Sequence, residues 1–203
     1  MGGGRERILE TAYELFSRHG TRGVGVDRIV AEAGTAKMTL YRNFASKEEL
    51  IVAFLDAREQ RWTRGWLQAE VEARAEAPAE RLLAIFDVFG EWFERDDFEG
   101  CSFINVMLEL DDRTDIARAA SVQHLANIRE FLGALAAEAG AEDPDAFARQ
   151  WHILMKGSIV AAAEGDAQAA ARAQELGRLL LNARGLPSAR RSETIGAVAA
   201  RAD

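Results

Sequence analysis

Cysteine is almost absent from this sequence: the single residue, Cys101, can close no disulfide within the chain and cannot build a zinc framework. Nothing therefore requires an oxidising compartment, and the bias is toward the cytoplasm. Proline is nearly as scarce, at Pro78, Pro144 and Pro187, so few points forbid helix. No run approaches the roughly 18 apolar residues of a membrane span, and the opening MGGGRERILETAYELF lacks an apolar secretory core. These gaps predict a soluble, cytoplasmic protein with no membrane partner. Histidine occurs three times, without an HxxxH pair, so neither a metal nor a cofactor is expected. No Ser/His/Asp, Cys/His or paired-carboxylate arrangement stands out, and ELDDRTD reads as a solvated turn, which disfavours an enzyme.

Positive charge is also in short supply. The net charge of −8 argues against a general nucleic-acid binder, because phosphate contact is driven by cationic side chains. The average hides an asymmetry, however. Residues 1–50 hold eight Lys/Arg against seven Asp/Glu, whereas 51–203 hold seventeen against twenty-six. Any contact with an acidic polymer falls to the first quarter.

What the chain has in abundance is Ala, Leu, Glu and Arg without strand-like alternation, which predicts an all-α fold. Ile8, Ala12, Leu15 and Phe16 mark a first helix that Gly20 would cap. Val26, Ile29, Val30 and Ala33 mark a short second helix stopped at Gly34. After a third short segment, Ser46 with Glu49 fits a capping box that opens one long helix through Ile51, Phe54, Trp62, Trp66 and Val71. Pro78 opens the next, with a stripe of Leu82, Leu83, Ile85, Phe86, Phe89 and Phe93. CSFINVMLEL, apolar on nearly every side, predicts a buried helix. Thr114 would cap a long helix ending at Gly140, Pro144 opens another, and Ala167 to Asn182 forms the last. The stretch 187–203 reads as a tail, frayed or carrying one short amphipathic helix.

The segment GTAKMTLYRNFASKEEL, from Gly34 to Leu50, describes the second half of a helix-turn-helix with a supporting helix in front. Leu40 and Phe44, four apart, share the inward face, leaving Lys37, Thr39, Tyr41, Arg42 and Asn43 outward or sideways. Asn can read adenine, Arg guanine and Thr a base edge, while Lys and Tyr reach phosphates. Charge alone fits a solvated surface helix just as well.

ILETAYELFSRHG followed by VDRIVAEAGTAKMTLYRNFASKEEL resembles the N-terminal domain of the TetR family of bacterial transcriptional regulators. Gly34, Lys37, Thr39, Leu40, Tyr41, Phe44, Ser46, Lys47, Glu48, Glu49 and Leu50 carry the match over about residues 5–55. The resemblance implies that Lys37 and Thr39 open a recognition helix, that Tyr41 touches backbone, that Arg42 and Asn43 set sequence preference and that Lys47 holds a phosphate. Arg28 is a further phosphate contact or a surface salt bridge. Two departures remove hydroxyl caps, at Gly25 and Ala36, each typically worth ~1 kcal/mol and less where Gly stands in. Thr35 would then cap from one position earlier. Val30 stands where a small residue is usual, and Met38 where Gly is frequent.

The expected domains are 1–47 for DNA binding, 48–186 for effector binding and dimerisation, and 187–203 as tail. Residues offered for an effector pocket are Trp62, Trp66, Phe89, Trp92, Phe93, Phe103, Asn105, Met107, His124, Trp151 and Met155, each of which could equally be core. The last two core helices, with Ile159, Leu176, Leu179 and Leu180, would form a four-helix bundle with a second copy, or else pack within the chain. The resemblance thus implies a homodimeric repressor that binds a palindromic operator in double-stranded DNA and is released by a small, mostly apolar effector. The alternative is a helical DNA-binding protein that senses no ligand.

Overall fold

The computed structural model describes residues 3–186, so the expected tail at 187–203 lies outside the described residues. The order is α1 (Gly4–Gly23), α2 (Val26–Glu32), α3 (Lys37–Asn43), α4 (Lys47–Arg58), a π-helical segment (Glu59–Gln68), α5 (Ala69–Arg74), α6 (Pro78–Phe93), α7 (Ser102–Glu109), α8 (Ile116–Glu138), α9 (Pro144–Ala163) and α10 (Ala169–Ala183). There is no strand among the described residues. The all-α reading holds.

The first helix buries Ile8, Ala12, Leu15 and Phe16, one stripe at helical spacing, against the neighbouring stripe of α4. Phe54 is the pivot of that contact: Tyr13 and Phe16 each meet its ring edge-on at 5.5 Å. Such pairs add ~0.5–1.5 kcal/mol beyond burial. Gly20 does not simply end α1. Its φ of 71° breaks the helix, and the chain makes a further turn through Thr21 to Gly23 before α2.

The long helix expected after Ser46 is not a continuous α-helix. The cap itself is as read, with Glu49 N donating to Ser46 Oγ at 3.2 Å and Ala45 N to the Glu49 carboxylate at 2.8 Å. From Glu59 to Gln68 the helix widens to π geometry before α5 resumes. Glu59, Thr63, Leu67 and Val71, four apart, all point inward. Gly65 permits the wide turn, since a Cβ there would lie 2.8 Å from the Gln60 carbonyl oxygen. π segments recur at functional sites.

Three further expectations are corrected. Asp115 caps α8 in place of Thr114, its carboxylate accepting from Ala117 N at 2.7 Å and Arg118 N at 3.3 Å, while Thr114 bonds to Asp112. A carboxylate at this position also meets the positive helix end. Only Phe103 and Val106 of α7 are buried, and Leu108 is 70% exposed, so α7 is a flank helix that is apolar on its outer face too. Ile159 faces the core of its own chain, whereas Ile153, Val160, Leu176 and Leu179 point outward from α9 and α10.

The larger half of the core is organised around Trp151, fully buried between α6, α9 and α10. Its ring stacks on Phe147 at 5.5 Å and tilts against Phe86 at 5.5 Å. Gly177 makes room for it: a Cβ would sit 2.7 Å from Trp151 Cη2. Gly177→Ala should therefore destabilise the protein by ~1–3 kcal/mol in urea unfolding, although Ala favours helix by ~1 kcal/mol. A rise in stability would mean that the indole is free to move aside.

Candidate functional site

The turn between α2 and α3 is closed by Gly34, at φ 60°. Gly34 N reaches Ala31 O at 3.2 Å and Thr35 N reaches Val30 O at 3.0 Å, the Schellman pairing that ends a helix sharply. The third helix then starts at an N-cap, Ala36, with no side-chain bond, so Thr35 does not supply the missing cap; Gly25 caps α2 equally bare. What fixes α3 is packing. Leu40 and Phe44 are buried, and the Arg5 guanidinium from the start of α1 covers the Phe44 ring at 4.9 Å.

Outward from that anchor stand Lys37, Met38, Tyr41, Arg42 and Asn43, all exposed, with Thr39 half-buried beside them. Several are already engaged. Lys37 Nζ pairs with Asp27 at 2.8 Å, and this hydrogen bond holds its pKa above the usual lysine value. Asn43 Nδ2 donates to Thr39 O at 2.7 Å and Arg42 to Thr39 Oγ1 at 3.3 Å. Arg28 bonds Glu32 at 2.8 Å and approaches His19 Nε2 at 3.1 Å. These contacts are solvent-exposed and exchange readily for others.

Lys47 sits differently. Its Nζ donates to Thr21 O at 2.6 Å, and partial burial lowers its pKa. On the same turn, one oxygen of Glu109 accepts from Thr21 N at 2.9 Å, from Thr21 Oγ1 at 2.5 Å and from Arg22 N at 3.1 Å. Arg22 also pairs with Asp111 at 2.9 Å. Gly20 is required here twice over, for its positive φ and because a Cβ would lie 2.5 Å from Glu109 Oε1. The last residues of α7 thus hold the end of α1, next to the helix-turn-helix. Glu109 is 88 positions from Thr21 and no local pattern announces the pairing.

The residues offered for a ligand do not converge on one cavity. Trp62, Trp66 and Trp92 line a cleft of about 250 Å³ together with Tyr13, Arg58, Arg61, Arg95 and Asp97, of which sequence reasoning proposed only the three indoles. Phe89 backs the cluster, 5.5 Å from Trp92 and 6.1 Å from Trp62. Phe93 opens instead onto a cleft formed with Gly90, Ala162 and the start of α10. Asn105 is not enclosed by apolar neighbours: it is exposed, donates to Glu99 O at 3.2 Å and lines a third cleft with Ser17 and Glu109. Met107 is half-buried against the core, while Trp151 and Met155 are packed within it.

His124 belongs to a buried polar network. Its Nδ1 lies 3.0 Å from Glu59 Oε2 and its Nε2 3.1 Å from Asp56 Oδ1, while Phe103 stacks on the ring at 5.1 Å. Burial opposes ionisation of Glu59, yet the Asn127 amide at 2.7 Å, His124 and Arg64 outweigh it and hold that carboxyl below its ordinary range. The imidazole is thus occupied at both nitrogens by its own chain. His152 is buried without a partner at Nδ1; desolvation, with Lys156 and Arg129 nearby, lowers its pKa to about 3, so the ring is neutral.

Removing the Glu109 carboxylate leaves the buried Thr21 N–H and hydroxyl unpaired, a cost of ~1–3 kcal/mol. Glu109→Ala should lower urea stability by that amount and speed amide exchange at Thr21; unchanged exchange there would show that the turn holds without the carboxylate.

Comparison with known proteins agrees with this architecture. Residues 8–54 match the family model for bacterial regulatory proteins of the tetR family, and residues 78–176 match the tetracyclin repressor-like C-terminal domain. A helix-turn-helix-type transcriptional regulator of Lactococcus lactis is 27% identical over 107 residues, 52% of this chain and 54% of its own length. A second such regulator, from Mycobacterium tuberculosis, is 36% identical over 78 residues, 38% of each chain. The chain thus spans about half the length, or less, of these relatives. The transcriptional regulator AcuR of Cereibacter sphaeroides is 28% identical over 77% of this chain and 75% of its own. Among solved structures, a TetR-type regulator from Streptomyces avermitilis superposes with a TM-score of 0.80 at 31% identity, covering 91% of this chain and 100% of that one. A TetR-family regulator from Streptomyces coelicolor gives 0.77 at 29% identity over 89% and 95%. With a helix-turn-helix ahead of a larger helical half, and a relative of this identity matched along its whole length, the chain belongs to the TetR family of DNA-binding transcriptional regulators, not to a family of enzymes.

Proposed function

We propose that this protein is a homodimeric repressor whose α3 helices read a palindromic operator and whose DNA binding is weakened by a small effector. The observation that carries the reading is the division of α3: Leu40 and Phe44 buried on one side, Lys37, Met38, Tyr41, Arg42 and Asn43 exposed on the other. In this reading residues 1–47 form the DNA-binding unit and 48–186 the sensing and dimerisation unit. Asn43 and Arg42 address base edges, and Met38, 71% exposed, suits a thymine methyl. Tyr41 and Lys37 address the backbone. Lys47 gives one of its three donors to Thr21 O and keeps two for a phosphate. For the second copy, Ile153, Val160, Leu176 and Leu179 offer an exposed apolar face on α9 and α10, as a shared four-helix bundle requires. Two-fold symmetry would then set the recognition helices about one turn of DNA apart, ~34 Å or somewhat more.

The close packing of Trp151, Met155 and Phe89 favours the second reading, in which the C-terminal helices serve only dimerisation or protein contacts. What favours sensing is the open aromatic cleft at Trp62, Trp66 and Trp92, which touches α1 directly through Tyr13. An effector acts through its differential affinity for two conformers, and a nearly complete switch needs ~10⁴-fold.

In fluorescence anisotropy with a selected operator, Lys37→Ala should weaken binding on all sequences and make the salt slope shallower by ~0.9 for each phosphate that the lysine neutralises. Asn43→Ala should instead relax preference at one base position per half-site, by ~1–3 kcal/mol. Unaltered preference and affinity in both variants would remove α3 from the interface.

A further inference from the structure

We propose that the cleft between α1, the start of the π-helical segment and the end of α6 binds a small planar organic anion, an aromatic or conjugated carboxylate, with Arg58 taking the carboxylate and the three indoles the ring. The proposal rests on the sensing reading above and names the chemical class that this cleft would accept.

Most of the charge in the cleft is already matched. Arg61 grips Glu10 with two bonds, at 3.0 and 2.6 Å, and Arg95 grips Asp97 with two, at 2.7 and 2.8 Å. Both guanidiniums are thus paired, fork to fork, with carboxylates. Arg58 is not. It donates to the neutral phenol of Tyr13 at 3.1 Å, lies about 6 Å from the Tyr13 and Trp62 ring centres, and has no carboxylate at ion-pair distance among the described residues. Behind it lies Cys101, whose thiol burial pushes up in pKa, so the sulfur is neutral and offers no counter-charge. The Nε1 of Trp62 is buried with no acceptor, so this indole offers the cleft its ring and not its N–H. The cleft therefore holds a planar cation with no carboxylate at bonding distance, and Asp97, the carboxylate that lines the cleft, faces it only at longer range while bonded to Arg95.

The rest of the lining is aromatic. Trp62 packs on Trp66 at 5.6 Å and on the buried Trp92 at 4.8 Å, with interplanar angles of 53° and 57°, so the indoles form one continuous aromatic wall along the cleft. Planar guests fit such walls, and a guanidinium that already lies near ring faces can pair bidentately with an in-plane carboxylate. A volume of about 250 Å³ sets a small guest, below the usual drug-sized range. Position gives the site a consequence: Tyr13 and Glu10 belong to α1, so a guest wedged against Arg58 and Arg61 presses on the helix whose far end leads into α2 and α3.

Isothermal titration calorimetry of the full chain tests this with naphthalene-1-carboxylate and its neutral carboxamide. The carboxylate should bind at least ~10-fold more tightly than the amide, and Arg58→Gln should abolish that difference while leaving the amide unchanged. Trp62→Phe, which shortens the aromatic wall, should weaken the carboxylate ~3-fold or more and serves if Arg58→Gln fails to give a native circular dichroism spectrum. Equal affinity for acid and amide, no binding of either, or carboxylate binding indifferent to the substitution would overturn the assignment. Operator release is measured separately. Arg58-dependent carboxylate binding without any change in DNA affinity leaves the cleft assigned and removes the effector reading; release by compounds that act equally on Arg58→Gln does the reverse.

Discussion

The end of α1 is held by a carboxylate that belongs to the other half of the molecule. Three donors from Thr21 and Arg22 converge on one oxygen of Glu109, and Lys47 at the start of α4 donates to Thr21 O on the same turn. The orientation of α2 and α3 relative to the larger helical half depends on this clasp and on the Phe54 contact above it. Both are short-range and directional, so they tie the end of α1 closely to α7 and α4.

The two halves are built on different principles. Helices α2 and α3 are too short to be stable alone and are fixed by a few buried residues, Ile29, Leu40 and Phe44, and by the positive-φ turn at Gly34. The larger half has a filled aromatic and aliphatic interior centred on Trp151, with its openings at the rim. One side of that half presents apolar residues to solvent from α9 and α10, and another presents the indole cleft against α1. In the proposed reading dimerisation and sensing fall on different faces, and the cleft is the one that contacts α1.

What is legible in the sequence is local. Leu40 and Phe44 declare an inward face by their spacing, Ser46 and Glu49 declare a cap, and Gly34 declares a sharp helix end, because each signal is carried by residues within one or two turns. What is not legible depends on partners far along the chain. Nothing near Glu59 signals that Asn127 and His124 will meet it, and the π geometry from Glu59 to Gln68 follows from that packing and from Gly65 rather than from propensity. The apolar neighbours of Asn105 predict an inward position, yet α7 lies on the flank and turns it outward. Thr114 gives way to Asp115 as a cap because a carboxylate one position later serves two amides at once. The ligand candidates fail to converge for the same reason: aromatic spacing marks a buried stripe but not which neighbours leave a space. The unmatched Arg58, by contrast, emerges only once every other cation in its cleft has been paired.

The most direct test of a symmetric dimer reading DNA through α3 is selection of bound sequences from a random double-stranded DNA pool by the purified protein, at moderate salt and without added ligand. Two copies of α3 presented by two-fold symmetry predict enrichment of a palindrome with half-sites about one helical turn or somewhat more apart. Enrichment of a single half-site, or of no sequence, would contradict that arrangement.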